Sequence, residues 1–336
     1  MERNHKLDWL RSIGTMLVIL AHASPPPILR DIRCFDVCLL FLVSGFSFDL
    51  TNRFKSGNFE NFNGYVVRRV KRLAIPAWCI VTLIYLGTSS LCLLAKADNM
   101  YSFKDYILSM LFTNQGLGYV WIVKLYLFNA IMLPLCSAFF YQYSKMKKWV
   151  CGCSAILVYT VICYFYTIYL KANMNLNVRV LIEEFLLCPV AYFIVTVIGV
   201  ALNRDNKNTY RVLTLAVPIF ALCQMINYAD GFVPNSYKWP PNLYYLSYGI
   251  MVSILLYLAV PNRKVMVIEW ISRHSYDIYL YHIPFIILLM ICRSERLRIK
   301  PELLNNCFFC YAVLLAGGIG TTLLFEYVKK LIHCRK

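Results

Sequence analysis

Ten long apolar runs constrain this chain more than any other feature of its sequence. Most are close to the roughly 17–25 residues that cross a bilayer as a helix. The segments between them are too short to fold as a soluble domain. We therefore expect one all-α, polytopic membrane domain over residues 1–336, with about ten transmembrane helices. The runs cover about residues 9–24, 33–50, 74–95, 119–140, 149–170, 181–201, 211–229, 243–260, 275–292 and 304–326.

The distribution of positive charge predicts the orientation of these helices. The net charge is +17, which in a soluble protein could indicate a nucleic-acid partner. If the N-terminus is cytoplasmic, however, 22 of the 34 Lys and Arg residues fall in cytoplasmic segments, 11 on the opposite side and one, Lys124, within a run. This bias follows the positive-inside rule. We expect both termini in the cytoplasm, a multi-pass protein of the inner (plasma) membrane, and no nucleic acid.

The first run also resembles a secretory signal peptide. Arg3 and Lys6 precede an apolar core, and Ala21-His22-Ala23 matches an A-x-A cleavage site. Arg11 beside the apolar core and nine later runs favour a retained helix. Cleavage stays the alternative, and it would remove His22.

Cysteine pairs give no complete metal site. Cys151 and Cys153 are separated by one residue and Cys307 and Cys310 by two, but no second cluster supplies further ligands. Most other cysteines lie inside apolar runs, where cysteine behaves as a small hydrophobic residue. We expect no metal.

The first run carries two ionisable side chains, Arg11 and His22. Eleven helical residues turn about three full turns plus 20°, so both lie on one face about 16 Å apart. Ionisable residues inside a membrane usually face the bundle interior or a wet cavity. A cation at the cytoplasmic mouth and a deep imidazole fit a long anionic donor such as an acyl-CoA, with its acyl group at the tip. The alternative is that Arg11 snorkels to headgroups and a backbone carbonyl satisfies His22.

Four motifs resemble the acyltransferase-3 family of integral membrane acyltransferases, in the family's order and over most of the chain. "LDWLRSIGTMLVILAH" (7–22) is similar to its R-x10-H helix, and "FDVCLLFLVSGFSF" (35–48) to its second helix. "YVVRRVKRLAIPAW" (65–78) resembles the basic segment before its third helix, and "SYDIYLYHIPFI" (275–286) its late S-x-x-I-Y-L-x-H helix. Members often carry an appended SGNH domain, and we expect none here.

The resemblance implies transfer of an acyl group, commonly acetyl, from cytoplasmic acyl-CoA to a hydroxyl of an extracytoplasmic glycan. His22 matches the family histidine and would act as general base or, alternatively, as a transient acyl carrier. Arg11 matches the family arginine and would hold the donor. Asp36 begins the next, antiparallel helix and returns to the depth of His22, where it could fix the imidazole tautomer. Capping of its own helix is the alternative role of Asp36.

The remaining candidates divide between donor and acceptor. Arg68, Arg69 and Arg72 lie in the family's basic segment and would bind the donor phosphates, although positive-inside anchoring also explains them. His282 matches the family histidine of the late helix, and Tyr279 lies beside it. Trp239 belongs to an aromatic outer loop that could stack on a sugar or simply form an interfacial belt.

The expected partners are acyl-CoA, membrane lipids and a glycan such as capsule, exopolysaccharide or O-antigen. Two other classes of protein stay open. A transporter or flippase of lipid-linked sugars fits ten spans, although no paired broken helices are evident in the sequence. A membrane sensor or scaffold would tolerate loss of Arg11 and His22.

Overall fold

The computed structural model describes residues 3–51, 62–142, 145–204, 206–293 and 302–334. Within these ranges the chain is helical and has no β-strand, apart from one isolated bridge between Lys238 and Pro241. The all-α prediction is therefore confirmed for the part of the chain that the structure describes.

Fifteen α-helices occur in the described ranges. In chain order they are α1 (His5–Ala21), α2 (Pro27–Ile32), α3 (Asp36–Thr51), α4 (Phe62–Leu94), α5 (Phe103–Met110), α6 (Trp121–Gln142), α7 (Lys145–Phe165), α8 (Leu176–Ile182), α9 (Cys188–Arg204), α10 (Asn206–Ile226), α11 (Leu243–Ala259), α12 (Met266–Arg273), α13 (Ser275–Tyr281), α14 (Ile283–Arg293) and α15 (Cys307–Cys334). Short π-helical segments, Tyr166–Leu170 and Glu183–Leu187, follow α7 and α8.

Seven helical segments of the described chain are long and apolar enough to cross a membrane. Two shorter apolar helices, Trp121–Ser137 and Leu243–Ala259, match two further predicted runs. Helix α1 covers most of the one remaining run, which is the first in the chain. The chain is thus a multi-pass membrane protein. The seven segments are Pro27–Thr51, Phe62–Leu94, Met146–Asn173, Leu176–Asn203, Lys207–Ile226, Ser275–Arg293 and Cys307–Ile332.

Four of these segments expose their apolar side chains outward. The spans in α4, α7, α10 and α15 bury only 17% to 22% of their apolar windows inside the protein. Exposed Leu, Ile and Phe side chains therefore cover these helices. Apolar surface of this extent is unfavourable in water and matches the hydrocarbon of a bilayer.

The chain divides into two compact units. The first comprises Met1–Leu40 and Leu255–Lys336. Within it, α1 packs against α12, α13 and α15, and α15 also packs against α14. Gly14 brings α1 close to Leu40, because a Cβ atom on Gly14 would lie 2.8 Å from the Leu40 side chain.

The second unit comprises Phe41–Ile254. In this unit α9 packs against α6, α7 and α10, and α4 packs against α6. Two glycines allow backbone contact between α3 and α9, as small residues do in membrane helices. A Cβ atom on Gly45 would lie 1.9 Å from the Thr196 carbonyl oxygen, and one on Gly199 would lie 2.1 Å from the Leu42 carbonyl oxygen.

Candidate functional site

The end of α1 fixes the position of His22. Asn4 caps the start of the helix by accepting a hydrogen bond from the Lys6 backbone N–H at 3.1 Å. The helix ends at Ala21, and His22 is its C-terminal cap. Ser24 takes a left-handed conformation with φ of 56°, and three prolines, residues 25–27, then prevent the helix from continuing. His22 therefore stands at a defined helix terminus rather than inside a span.

His22 forms a pair with His282 in the first unit. The distance from His22 Nδ1 to His282 Nε2 is 2.8 Å, and the ring planes differ by 1°. The ring centres are 5.1 Å apart, much farther than the two nitrogens. The rings therefore meet edge to edge in nearly one plane, which is the geometry of a direct hydrogen bond. His22 is half-buried, whereas His282 is fully buried.

His282 lies at a break between two helices. Pro284 has no N–H, so the carbonyl of Leu280 loses the donor that a continuous helix would supply. Helix α13 ends at Tyr281 and α14 begins at Ile283, where proline at the second position is tolerated. The side chain of His282 donates a hydrogen bond from Nδ1 to the Tyr279 carbonyl oxygen.

Arg11 lies on the same face of α1 as His22, about three turns earlier, and is held by a series of hydrogen-bonded polar side chains. Its Nη1 donates to Ser272 Oγ at 3.2 Å, and Ser272 Oγ donates to Asp8 Oδ1 at 2.8 Å. Arg3 binds both carboxylate oxygens of Asp8 at 2.8 Å. Arg11 and His22 thus both contact the segment formed by residues 266–293, as the spacing of eleven residues predicts for one face of a helix.

Asp36 has a different environment from the one expected beside His22. Its carboxylate is ion-paired with Arg33, and both side chains are buried. The other carboxylate oxygen accepts a hydrogen bond from the Val37 backbone N–H at 2.7 Å. The hydrogen-bonding contact to the imidazole that we expected of Asp36 is made by His282.

The three candidate arginines of the basic segment lie in the second unit. Arg68 and Arg72 are exposed near the start of α4, and Arg69 is half-buried. The guanidinium of Arg69 lies 5.2 Å from the centre of the Tyr65 ring. The three arginines span four residue steps, just over one helical turn, so they lie close together along α4.

Trp239 and Tyr279 are both packed against other aromatic rings. In the second unit, Trp239 meets Trp121 edge to face with ring centres 4.8 Å apart, and its carbonyl oxygen accepts a hydrogen bond from Lys171 Nζ at 3.3 Å. The Trp239 side chain is half-buried. In the first unit, Tyr279 is buried and its ring centre is 5.7 Å from that of His282.

Hydrogen bonds order the loop that carries Trp239. The hydroxyl of Tyr237 lies 2.8 Å from Asn227 Oδ1 and 3.2 Å from Asp230 Oδ2. Burial and the interaction with Asp230 raise the pKa of Tyr237 above that of an ordinary tyrosine, which is already protonated at neutral pH, so this hydroxyl stays a donor. This aromatic loop is therefore a fixed element.

Sequence reasoning missed Asp8, Ser272 and Gly318. Asp8 sits three residues before Arg11, a spacing at which helical side chains are neighbours, and this signal was available. Ser272 lies 261 residues from Arg11 and only the tertiary fold brings it close. A Cβ atom on Gly318 would lie 2.9 Å from the Ile278 carbonyl oxygen and 3.4 Å from His282 Cβ. Gly318 therefore lets α15 support the helix break at His282.

Comparison with known proteins gives one match. A family model described as acyltransferase domain matches residues 4–327, nearly the whole chain. No curated protein and no solved structure matches the chain.

Proposed function

The chain belongs to the acyltransferase-3 family, and from this membership we propose that it moves an acyl group from cytoplasmic acyl-CoA to a hydroxyl of an extracytoplasmic or lipid-linked glycan. Acetyl is the acyl group we expect. The observation that carries the proposal is the family match over residues 4–327. The pair formed by His22 and His282 supplies a base of the kind that this reaction needs.

In the proposed step, His22 accepts the proton of the acceptor hydroxyl. The hydroxyl oxygen attacks the thioester carbonyl carbon, and a new C–O bond forms. The C–S bond then breaks, and the departing CoA sulfur takes the proton back from His22. An imidazole suits both transfers because its ordinary pKa of about 6.5 lies near physiological pH. A transient acyl-histidine is the two-step alternative.

We assign the donor to Arg11, Arg68, Arg69 and Arg72. Guanidinium groups bind phosphate through two parallel hydrogen bonds, which lysine cannot do. The polar chain through Ser272 and Asp8 orients Arg11 before the donor arrives. The exposed arginines at the start of α4 are accessible to a nucleotide.

We assign the acceptor to Trp239 and Tyr279, whereas His282, a candidate for the same role from its sequence motif, contacts His22 instead. The half-buried indole of Trp239, held against Trp121, supplies a fixed ring for stacking on a sugar. The proposed acceptors are capsule, exopolysaccharide or O-antigen, all of which carry accessible hydroxyl groups. Asp36, paired with Arg33, acts in this proposal as a positioning residue for the turn that follows His22.

For the membrane topology we propose ten spans in the inner membrane, with both termini cytoplasmic and residues 1–336 forming one family domain. Helix α1 and the two shorter apolar helices complete the set. The excess of Lys and Arg in the segments assigned to the cytoplasm supports this orientation.

The test uses inverted membrane vesicles from expressing cells, supplied with radiolabelled acetyl-CoA. We expect label to enter the endogenous envelope glycan, and His22→Ala to abolish the transfer while the protein still inserts. A flippase of lipid-linked sugars is the second candidate. A flippase would label no glycan, in either the wild-type or the His22→Ala form, and its loss would reduce glycan export instead. Mass spectrometry of envelope glycans from a deletion strain would then identify the acylated sugar.

A further inference from the structure

The hydrogen-bond partners of His282 define which of its nitrogens carries a proton. Nδ1 faces the carbonyl oxygen of Tyr279, and a carbonyl oxygen can only accept. The proton of His282 therefore resides on Nδ1. This assignment comes from the partners, because hydrogen positions follow from the network rather than from the heavy atoms alone.

The second nitrogen of His282 then acts as an acceptor. The ring is fully buried, and its two nitrogens face a carbonyl group and an imidazole, neither of which is an anion. Burial without a counter-charge disfavours a second proton on the ring. In the neutral ring, Nε2 holds a lone pair and points at His22 Nδ1 over 2.8 Å.

We propose that His282 is a positioning residue that holds His22 in the tautomer protonated at Nδ1, so that the basic lone pair lies on Nε2. The inference rests on the proposed role of His22 as general base and adds how that base is prepared. His282 takes the place that a carboxylate occupies in a serine-protease triad, although it is neutral. When Nε2 of His22 takes the proton of the glycan hydroxyl, the hydrogen bond from His22 Nδ1 to His282 remains in place.

The surroundings of His282 hold this geometry rigidly. The break before Pro284 places the Nδ1 atom of His282 at the Tyr279 carbonyl. Gly318 of α15 lies against Ile278 and His282 from the other side. The acceptor nitrogen is therefore fixed by backbone on both flanks, and His22 adjusts to it.

A matched pair of variants separates the two nitrogens of His282. In His282→Gln the side-chain amide reaches the position of Nε2, and its oxygen can accept from His22. In His282→Asn the amide reaches only the position of Nδ1, so the bond to Tyr279 is retained and the acceptor for His22 is lost. Transfer from acetyl-CoA to endogenous glycan is measured in inverted vesicles, with membrane abundance and thermal stability in detergent as controls.

We expect His282→Gln to keep most of kcat, and His282→Asn to lose about 100-fold or more, within the range of 10²–10⁴ typical of positioned general bases. KM for acetyl-CoA stays unchanged in both. Equal kcat in the Gln and Asn variants overturns the inference. Full activity of His22→Ala would instead overturn the role of His22 itself.

A second measurement needs no variant of His282. Nitrogen-15 NMR of the wild-type protein, labelled at histidine in membranes, distinguishes protonated from unprotonated ring nitrogens. The His22 signals are identified by their loss in His22→Gln. We expect a protonated Nδ1 and an unprotonated Nε2 on His22 at neutral pH. The opposite tautomer would contradict the inference even if both variants of His282 failed to fold.

Discussion

Arg11 shows at the scale of a single residue how geometry and charge act together. Its guanidinium donates to Ser272, which in turn donates to Asp8. Asp8 and Ser272 are both buried, so the chain that orients Arg11 is shielded from competing water. A fork-shaped guanidinium carries five donors in a fixed plane, a geometry suited to a phosphate or a carbonyl oxygen.

Arg11→Lys tests this orientation. Lysine keeps the charge but loses the planar fork, so we expect KM for acetyl-CoA to rise about tenfold or more, the equivalent of one charge-assisted hydrogen bond. Kinetics in inverted vesicles give KM and kcat separately. Ser272→Ala is the control, because it removes the orienting contact but leaves the guanidinium, and we expect a smaller rise in KM. An unchanged KM in Arg11→Lys would remove Arg11 from the donor site.

Asp36 and Arg33 form a buried ion pair. Removal of only one partner destabilises the protein, whereas replacement of both by apolar residues need not. Asp36→Ala leaves the buried guanidinium of Arg33 without its partner, and such changes destabilise proteins by about 3–5 kcal/mol. Replacement of both residues by apolar ones of similar size is often neutral. We therefore expect Asp36→Ala to lower thermal stability in detergent sharply, and the double variant Arg33→Met with Asp36→Leu to recover both stability and most of the transfer activity.

The double variant distinguishes positioning from chemistry. A stable double variant that transfers no acetyl group would show that Asp36 takes part in the reaction directly. The sequence placed Asp36 near the depth of His22 but could not identify its partner. Arg33 lies three residues before Asp36, so the pair was visible as a spacing, whereas the contact between His22 and His282 joins residues 260 apart in the sequence.

At the scale of helices, sequence periodicity and composition located each apolar segment but not its interruptions. The run 275–292 reads as one helix, whereas the structure divides it at His282. Pro284 was the signal, since proline removes a helical donor. Close contacts were harder to foresee, because Gly317, Gly318 and Gly320 look alike in sequence and only the packing of α15 distinguishes them.

Gly318 and Gly320 make a matched pair for testing the support of His282. A Cβ atom on Gly318 would lie 2.9 Å from the Ile278 carbonyl oxygen, so Gly318→Ala must displace α13 or α15. A Cβ atom on Gly320 meets nothing within 4 Å. We expect Gly318→Ala to lower kcat for transfer, and Gly320→Ala to leave kcat unchanged and to gain up to about 1 kcal/mol from helix propensity. Equal kcat in the two variants would show that α15 does not hold the site.

At the scale of the whole molecule, the length of each apolar run and the distribution of charge between the two sides determine how the chain inserts into a bilayer. Every predicted run falls mainly on helical structure, because runs of this length have no other way to satisfy their backbone in lipid. Helix α1 carries His5, Lys6, Asp8 and Arg11, and this charge sets it apart from the seven segments that qualify by length and composition alone. Its polar side chains contact α12 and the segments around it, which offsets the cost of placing them near the membrane.

Reporter fusions test whether α1 completes an even number of spans. Green fluorescent protein fused to a membrane protein fluoresces only in the cytoplasm, because it does not fold correctly after export through the general pathway. Alkaline phosphatase is active only outside the cytoplasm. With ten spans and a cytoplasmic N-terminus, we expect fluorescence from a fusion after Lys336, phosphatase activity from an insertion after Asn235 in the outer aromatic loop, and none from an insertion after Lys264 before α12. Cleavage or exclusion of α1 would change the parity of the spans. Because the charge bias would still hold the later segments in place, the change would appear at the N-terminus alone. Exclusion of α1 would place a tag before His5 outside the cytoplasm, cleavage would remove that tag from the mature protein, and the C-terminal signal would be unaltered in both cases.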